Sequence, residues 1–375
     1  VPGVRIVLVA NLHHPTSGGL RTAVDRLALG YAHRGHAVAV VVPGARTDGA
    51  PADVAAGTVT RLTLAAPRVP GTGGYRVMDP WRVRRLLEQL HPDRIEVSDR
   101  TTLRGLGRWA AERDVPALVL AHERLDRLLT QWLLPPGAAR RVADAANRRT
   151  VAGHDLVVCS TDFAAEEFAR LGMPVAQVPL GVDLRTFAPD RFDVRLRAEL
   201  LDRSDVLLVH CGRLSAEKHP QRSLDTLAEL RRRGVRATLV VVGDGPLAAR
   251  LQTGSVGLPV RWLGHVADRG RLAALLASAD VALAPGPHET FGLAGLESLA
   301  CGTPVVASAS SALRELVAGG RHGAAVADDA GSFADGVQQV LALPVDERRR
   351  AARARAADFP WSAAVDRMLE LLPAA

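Results

Sequence analysis

Short runs of β-branched and other apolar residues alternate along this chain with longer amphipathic stretches, a pattern that predicts βα units built around parallel sheets. In the first half, VRIVLVA (4–10), AVAVVV (37–42), DRIEV (93–97), ALVLA (117–121) and DLVVC (155–159) read as strands. The Gly- and Pro-rich stretch 44–80 reads as loops with one strand near TVTRLTL. After FAPD (187–190) the series starts again with VLLVHC (206–211), ATLVVV (237–242), VRWLG (260–264), DVALA (280–284) and PVVAS (304–308). The restart predicts an α/β protein of two tandem doubly wound, Rossmann-like domains. The last stretch, PWSAAVDRMLELLPAA, reads as an amphipathic helix with Trp361, Val365, Met368, Leu369 and Leu372 on its apolar side.

The length of 375 residues agrees with two cores better than with one. With 47% hydrophobic and 23% charged residues the chain reads as globular with a large core. No window of about 18 apolar residues occurs, and VPGVRIVLVA runs directly into a strand, so neither a membrane span nor a secretory leader is expected. Cys159, Cys211 and Cys301 stand singly in apolar settings and read as buried thiols in a reducing, cytoplasmic compartment. The positive excess is uneven: residues 1–186 carry a net +6 and residues 187–375 a net +1. The first half is therefore expected to meet something anionic. The basic stretch GAARRVADAANRRTVAG (137–153), with Arg140, Arg141, Arg148 and Arg149, is a candidate for an anionic membrane, although its weak apolar face favours a solvated helix.

In open α/β sheets ligands bind beyond the carboxyl ends of the strands. The first half places Ser17-Gly18-Gly19, Ser98-Asp99-Arg100 and His122-Glu123-Arg124 after its strands. The second half places Gly212, Arg213 and Lys218, then Gly243-Asp244-Gly245, His265, and His288-Glu289. These residues are expected to gather at one edge of each sheet, forming a cleft between the domains. Lys218, in HCGRLSAEKHP (210–220), is the only lysine of the chain. In PHETFGLAGLE (287–297) Phe291, Gly292 and Leu293 open a helix whose first amides can donate to an anion, and Glu297 one turn on can reach a diol. Anion and sugar hydroxyls side by side describe a nucleotide sugar. Arg213 and Lys218 would then hold the charge that grows on a departing nucleoside diphosphate, with the ammonium fitting where a second guanidinium would not. Gly18 and Gly19 would let the main chain approach the same diphosphate. GxGxxG, GxxxxGK[ST], HExxH and Asp-x-Asp are all missing, so a dinucleotide oxidoreductase is weakly supported and neither a metal nor another cofactor is expected.

Jointly, the pair Glu289/Glu297 at E-x7-E spacing, GRLSAEKH and GDGP resemble the family 4 retaining glycosyltransferases of GT-B fold over essentially the whole chain. SGGLRTAVDRL, VPGARTD, IEVSDR, HERLDR, VPLGVDL and ASADVALAPGPHETFGLAGLESLACGTP further resemble the PimC-type GDP-mannose-dependent α-mannosyltransferases. That resemblance implies an acceptor domain at 1–187, a nucleotide-sugar domain at 188–359 and a helix at 360–373 that crosses back onto the first. It implies that the Gly19 amide, Arg213 and Lys218 meet the diphosphate, and that Glu289 holds the sugar hydroxyls. By the same resemblance Phe291 to Leu293 cover phosphate or sugar, Glu297 binds ribose, His265-Val266 flank the base, and His122 sits near the anomeric carbon. Asn11, His13, Asp99 and Arg100 are candidates for the acceptor.

Catalytic roles thus fall on His122, Arg213, Lys218 and Glu289. The partners implied are GDP-mannose and a hydroxyl acceptor such as a phosphatidylinositol mannoside at the inner membrane face, with no nucleic acid. The expected reaction is front-face displacement with retention, in which the leaving phosphate takes the acceptor's proton. Another nucleotide sugar acting on a soluble metabolite stays open as an alternative, and so does a non-catalytic nucleotide-sugar-binding protein. Joint presence of His122 and the paired cations favours an enzyme.

Overall fold

A computed structural model describes residues 3–11, 13, 18–69, 75–132 and 134–371. His14, Ser17 and Leu372 lie outside the described residues. Two compact units are present, Val1–Leu180 with Trp361–Ala375 and Gly181–Pro360.

Among the described residues the first unit holds seven strands: β1 Arg5–Val9, β2 Ala37–Gly44, β3 Val59–Ala65, β4 Arg94–Val97, β5 Ala117–Ala121, β6 Leu156–Cys159 and β7 Ala176–Gln177, in the order β3-β2-β1-β4-β5-β6-β7. The second holds β8 Val206–Cys211, β9 Ala237–Val242, β10 Val260–Gly264, β11 Val281–Ala284, β12 Val305–Ser308 and β13 Gly323–Val326, in the order β10-β9-β8-β11-β12-β13. All neighbours pair in parallel. In each sheet the winding reverses beside its first strand, at β1/β4 and at β8/β11. These are the switch points where loops diverge and leave room for a ligand.

The strand runs are apolar throughout because helices cover both faces. Ile6, Leu8 and Ala10 face one layer with Val38, Val40 and Leu118. Val7 and Val9 face the other with Ala39, Val41 and Val119. This two-residue alternation is the geometry of a pleated strand. Two strands escaped the hydrophobic pattern. β7 has two residues, and β13 reads GAAV, where small residues leave little apolar signal. A Cβ on Gly323 would stand 2.2 Å from the Val305 carbonyl oxygen, so close pairing with β12 fixes that sequence.

The C-terminal helix Trp361–Leu371 belongs to the first unit, where Ala364, Val365 and Met368 complete the layer around the helix Gly19–His33. Gly30 permits the approach, since a Cβ there would lie 2.2 Å from Val365 Cγ2. One buried polar network ties this helix to the sheet. Arg94, on β4 and 1% exposed, donates to the Met368 carbonyl at 2.8 Å and pairs with Glu96 at 2.6 Å. The Tyr31 hydroxyl donates to Glu96 at 3.1 Å. Burial pushes the Glu96 carboxyl above its usual range, opposed by Arg94.

Removing one member of such a pair leaves a buried charge without compensation. Arg94→Met is expected to lower unfolding free energy by about 3–5 kcal/mol, measured by chemical denaturation. Adding Glu96→Gln should recover part of that loss.

Candidate active site

The second unit's site is built from main chain first. The loop after β9 lies directly on the loop after β8. Gly243 has φ +144°, and a Cβ there would stand 1.8 Å from the Gly212 oxygen. A Cβ on Gly245 would stand 2.5 Å from the Leu214 oxygen. Leu214 donates to the Asp244 carbonyl at 3.0 Å and Leu247 to the Leu214 carbonyl at 2.9 Å, which locks the two loops together. Packing thus accounts for Gly243 and Gly245, whose effect is to hold Gly212 and Arg213 in place. Arg213 is half-buried on this loop.

The chain then makes a one-turn 3₁₀ helix, Ala216–Lys218, and stops at His219, which has φ +47°. Pro220 opens the helix Pro220–Arg232 behind it, its fixed φ suiting a first helical turn. Arg222 from that helix donates to the Pro285 carbonyl at 2.6 Å and so pins the loop after β11. A Cβ on Gly286 would already touch the Lys218 main chain at 3.4 Å. These contacts bring together two side chains 71 positions apart in sequence: Lys218 Nζ stands 2.5 Å from Glu289 Oε1. Both are partly exposed, and the Glu289 carbonyl accepts from Ala312 at 2.8 Å.

Gly292, at φ +83°, is the cap from which the helix Leu293–Ala300 starts. Phe291 lies before that helix, 4% exposed and edge-on to Phe359 at 6.3 Å. The expectation that Phe291 and Gly292 open the helix is corrected: Leu293 is its first residue, because Gly292 at φ +83° is the non-helical cap, its carbonyl accepting the first ladder bond from Leu296 at 3.1 Å. Glu297 is 7% exposed on this helix. It pairs at 2.6 Å with Arg269, the first residue of the helix Arg269–Ser278. Sequence reasoning missed Arg269. The cap Asp268, which accepts from Gly270 and Arg271, marks a helix start, but no periodicity links 269 to 297. His265 is exposed and Val266 half-buried on the loop after β10.

In the first unit, Gly18 caps the helix Gly19–His33, and a Cβ at Gly18 would meet no atom of the described residues within 4 Å. His122 follows β5, with Nε2 3.4 Å from Ser98 Oγ. Burial, aided by Arg100, pushes its imidazole down to about 4, so the ring is neutral near pH 7.

The acceptor candidates all have partners within the first unit. Asn11, 1% exposed, donates to Asp99 and Thr102 at 2.9 and 2.8 Å and accepts from Met78 at 2.9 Å. Asp99 also accepts from Thr101 and Thr102. Arg100, 4% exposed, donates to Asn147 and Glu167 at 2.9 and 3.0 Å and to the Glu123 carbonyl. These three side chains organise the loops beside His122. His13 Nε2 is 3.3 Å from Asp25, which also pairs with Arg61 at 2.7 Å.

Burial pushes all three thiols up to about 12, which makes them poor nucleophiles. Among the described residues no cluster of three or more His, Cys, Asp or Glu could hold a metal ion, and no helix is long and apolar enough to cross a membrane.

Two Rossmann-like units, with cations and paired glutamates on the loops and helix starts of the second, define a nucleotide-sugar-dependent transferase of GT-B fold. Residues 18–181 match the family model "Glycosyl transferase 4-like domain" and residues 205–342 match "Glycosyl transferases group 1". The chain belongs to this family of glycosyltransferases. It is 52% identical over 372 residues, 99% of this chain and 96% of the relative, to the GDP-mannose-dependent alpha-(1-6)-phosphatidylinositol dimannoside mannosyltransferase of Mycobacterium tuberculosis (strain ATCC 25177 / H37Ra). It is 29% identical to the GDP-mannose-dependent alpha-mannosyltransferase of Mycolicibacterium smegmatis, covering 98% of this chain and 96% of that one. Among solved structures, HepE of Anabaena in complex with UDP and glucose superposes with a TM-score of 0.76 at 19% identity, covering 98% of this chain and 99% of that one.

A pH prediction arises from His210 on β8. It is 3% exposed, its Nδ1 is 2.9 Å from Ser223 Oγ, and burial together with Lys218 pushes its imidazole from 6.5 down to about 4. The folded state binds this proton less readily than the unfolded chain. The stability is therefore complete above pH 6.5 and is lost as the pH falls toward 4, by roughly 3 kcal/mol in all. Urea denaturation across that window should show a steeper acid loss for the parent protein than for His210→Asn.

Proposed function

We propose that this glycosyltransferase moves mannose from GDP-mannose to a hydroxyl of phosphatidylinositol dimannoside, with retention of configuration. The observation that carries this reading is the 52% identity, over 99% of the chain, with a transferase of that name. The residues supply chemistry that suits it. Arg213 and Lys218 meet the diphosphate, Glu289 the mannose hydroxyls and Glu297 the ribose. Amides from Phe291 to Leu293 meet phosphate or sugar, with His265 and Val266 beside the base. The first unit contributes the amides at Gly18 and Gly19 to the diphosphate and neutral His122 to the anomeric centre.

In the reaction the bond between the anomeric carbon and the phosphate oxygen breaks, and its electron pair leaves with GDP. A new bond forms to the acceptor oxygen on the same face, and the acceptor's proton passes to the departing phosphate oxygen. Arg213 and Lys218 stabilise the growing charge on that phosphate more than they stabilise the bound donor, which lowers the barrier. Glu289, held on Lys218, is engaged by a cation and the sugar hydroxyls, a poor arrangement for a nucleophile that would attack carbon.

GDP release with phosphatidylinositol dimannoside in detergent micelles tests the reading against UDP-glucose and soluble inositol phosphates. Turnover with GDP-mannose and the lipid is expected; turnover confined to another donor or to a soluble acceptor would overturn it. Lys218→Ala should lower kcat by about 10²-fold, on the scale of losing one transition-state donor. Lys218→Arg should restore little, because a planar fork does not reproduce the compact point charge that stands beside Glu289.

A glycolipid acceptor places the enzyme at a membrane surface. Arg140, Arg141, Arg148 and Arg149 are all exposed on the helix Pro136–Val151, with Val142 at 49% exposure between them. This face is assigned to anionic headgroups at the inner membrane face. Cosedimentation with phosphatidylinositol-containing vesicles should weaken with salt and fall at least fivefold when the four arginines become glutamate. Unchanged binding would exclude this helix.

A further inference from the structure

A cavity of about 720 Å³ opens at the amino ends of β8, β9 and β10. Arg213 and Lys218 follow the carboxyl end of β8, so the six residues of that strand, roughly 20 Å, separate the two places. Five arginines line the cavity: Arg203 after the helix Val194–Leu201, Arg231 and Arg232 at the end of the helix Pro220–Arg232, Arg236 before β9 and Arg261 on β10. Asp202 is the one acid in the lining. Basic side chains in a last helical turn complement the helix dipole, which accounts for Arg231 and Arg232 but for neither Arg236 nor Arg261.

The charges in this cavity are only partly balanced. Arg232 pairs with Glu229 at 2.6 Å, Arg236 with Asp205 at 2.7 Å and Arg261 with Asp202 at 3.6 Å. Glu229 is already shared with Arg233 at 2.7 Å. The exposed side chains of Arg203 and Arg231 make no ion pair or hydrogen bond among the described residues. Like charges gathered in a concave surface raise the local potential and draw in an anion. Half-buried Val235, Leu258 and Pro259 add an apolar part to the same lining. The volume falls in the range of small-molecule sites, about 300–1,000 Å³.

We propose that this cavity is a second ligand site, for a phosphate monoester carried on a small ring, in which Arg203 and Arg231 grip the phosphate and the ring lies on the apolar lining. A guanidinium suits this task because its planar fork meets two phosphate oxygens at once. The site is independent of the donor site proposed above. Its ligand is either a soluble sugar or polyol phosphate or the phosphorylated headgroup of a lipid, two sources with the same chemistry.

The test is calorimetric titration of the full chain with myo-inositol 1,4,5-trisphosphate, in saturating GDP to fill the donor site. The parent should bind saturably, at least tenfold more tightly than the double variant Arg203→Ser, Arg231→Ser, while Lys218→Ala changes this affinity less than twofold. Both arginines are exposed, so the urea midpoint of the double variant should match the parent's and controls for folding. Equal affinity in the double variant, or no saturable binding by the parent, would overturn the proposal. Binding that vanishes by about 0.3 M salt would mark diffuse charge attraction only, and would overturn it too. Vesicles containing phosphatidylinositol 4,5-bisphosphate separate the two sources. Cosedimentation that the double variant loses, and that the free trisphosphate competes away, supports the site with a lipid headgroup as its ligand. Cosedimentation unchanged in a double variant that binds the trisphosphate tenfold more weakly supports the site with a soluble ester.

Discussion

In the second unit, the candidate site depends on two loops whose main chains lie in contact. The carbonyls of Gly212 and Leu214 occupy the places where side chains at Gly243 and Gly245 would be. Such contact is possible because β8 and β9 are parallel neighbours whose loops leave the sheet at the same edge. Main chain packed on main chain offers few alternative arrangements, so the turn that carries Lys218 starts from a fixed platform. Preorganised charge is effective in catalysis because no reorganisation is required as the reaction proceeds.

Charge in this site is balanced pair by pair. Lys218 answers Glu289 and Arg269 answers Glu297. Each pair ties a glutamate to a cation carried by a different segment of the second unit. In the reaction proposed above, new negative charge would develop beside Lys218 and Arg213, and stabilisation of the transition state over the bound donor would follow from that. In the first unit the charged residues are used differently. Asp99 and Arg100 bind their own loops and helices, and beside them burial together with Arg100 keeps His122 neutral.

Much of the fold was legible because parallel strands buried on both faces are nearly pure apolar runs. The ten principal runs lie on ten of the thirteen strands, and TVTRLTL lies on an eleventh. β7 and β13 stayed hidden since a two-residue strand and a GAAV strand owe their pairing to neighbours, not to their own side chains. Family membership was legible too, in GRLSAEKH and PHETFGLAGLE. Asn11, Asp99 and Arg100 stood out because they follow strands, but the partners the fold gives them come from residues 78, 102, 147 and 167, which no local pattern could connect.

The sequence by itself determined the order of strands and helices, the tandem repeat of two sheets and the residue types that can meet a nucleotide sugar, because these follow from periodicity and from the chemistry of single side chains. Tertiary structure alone decided which of those side chains are spent on the fold and which are paired with one another. Lys218 meets Glu289, and Arg269 meets Glu297, through the spacing of parallel strands and the close approach of glycines. Distances of a few ångströms between residues dozens of positions apart are set by packing, which a one-dimensional pattern does not record.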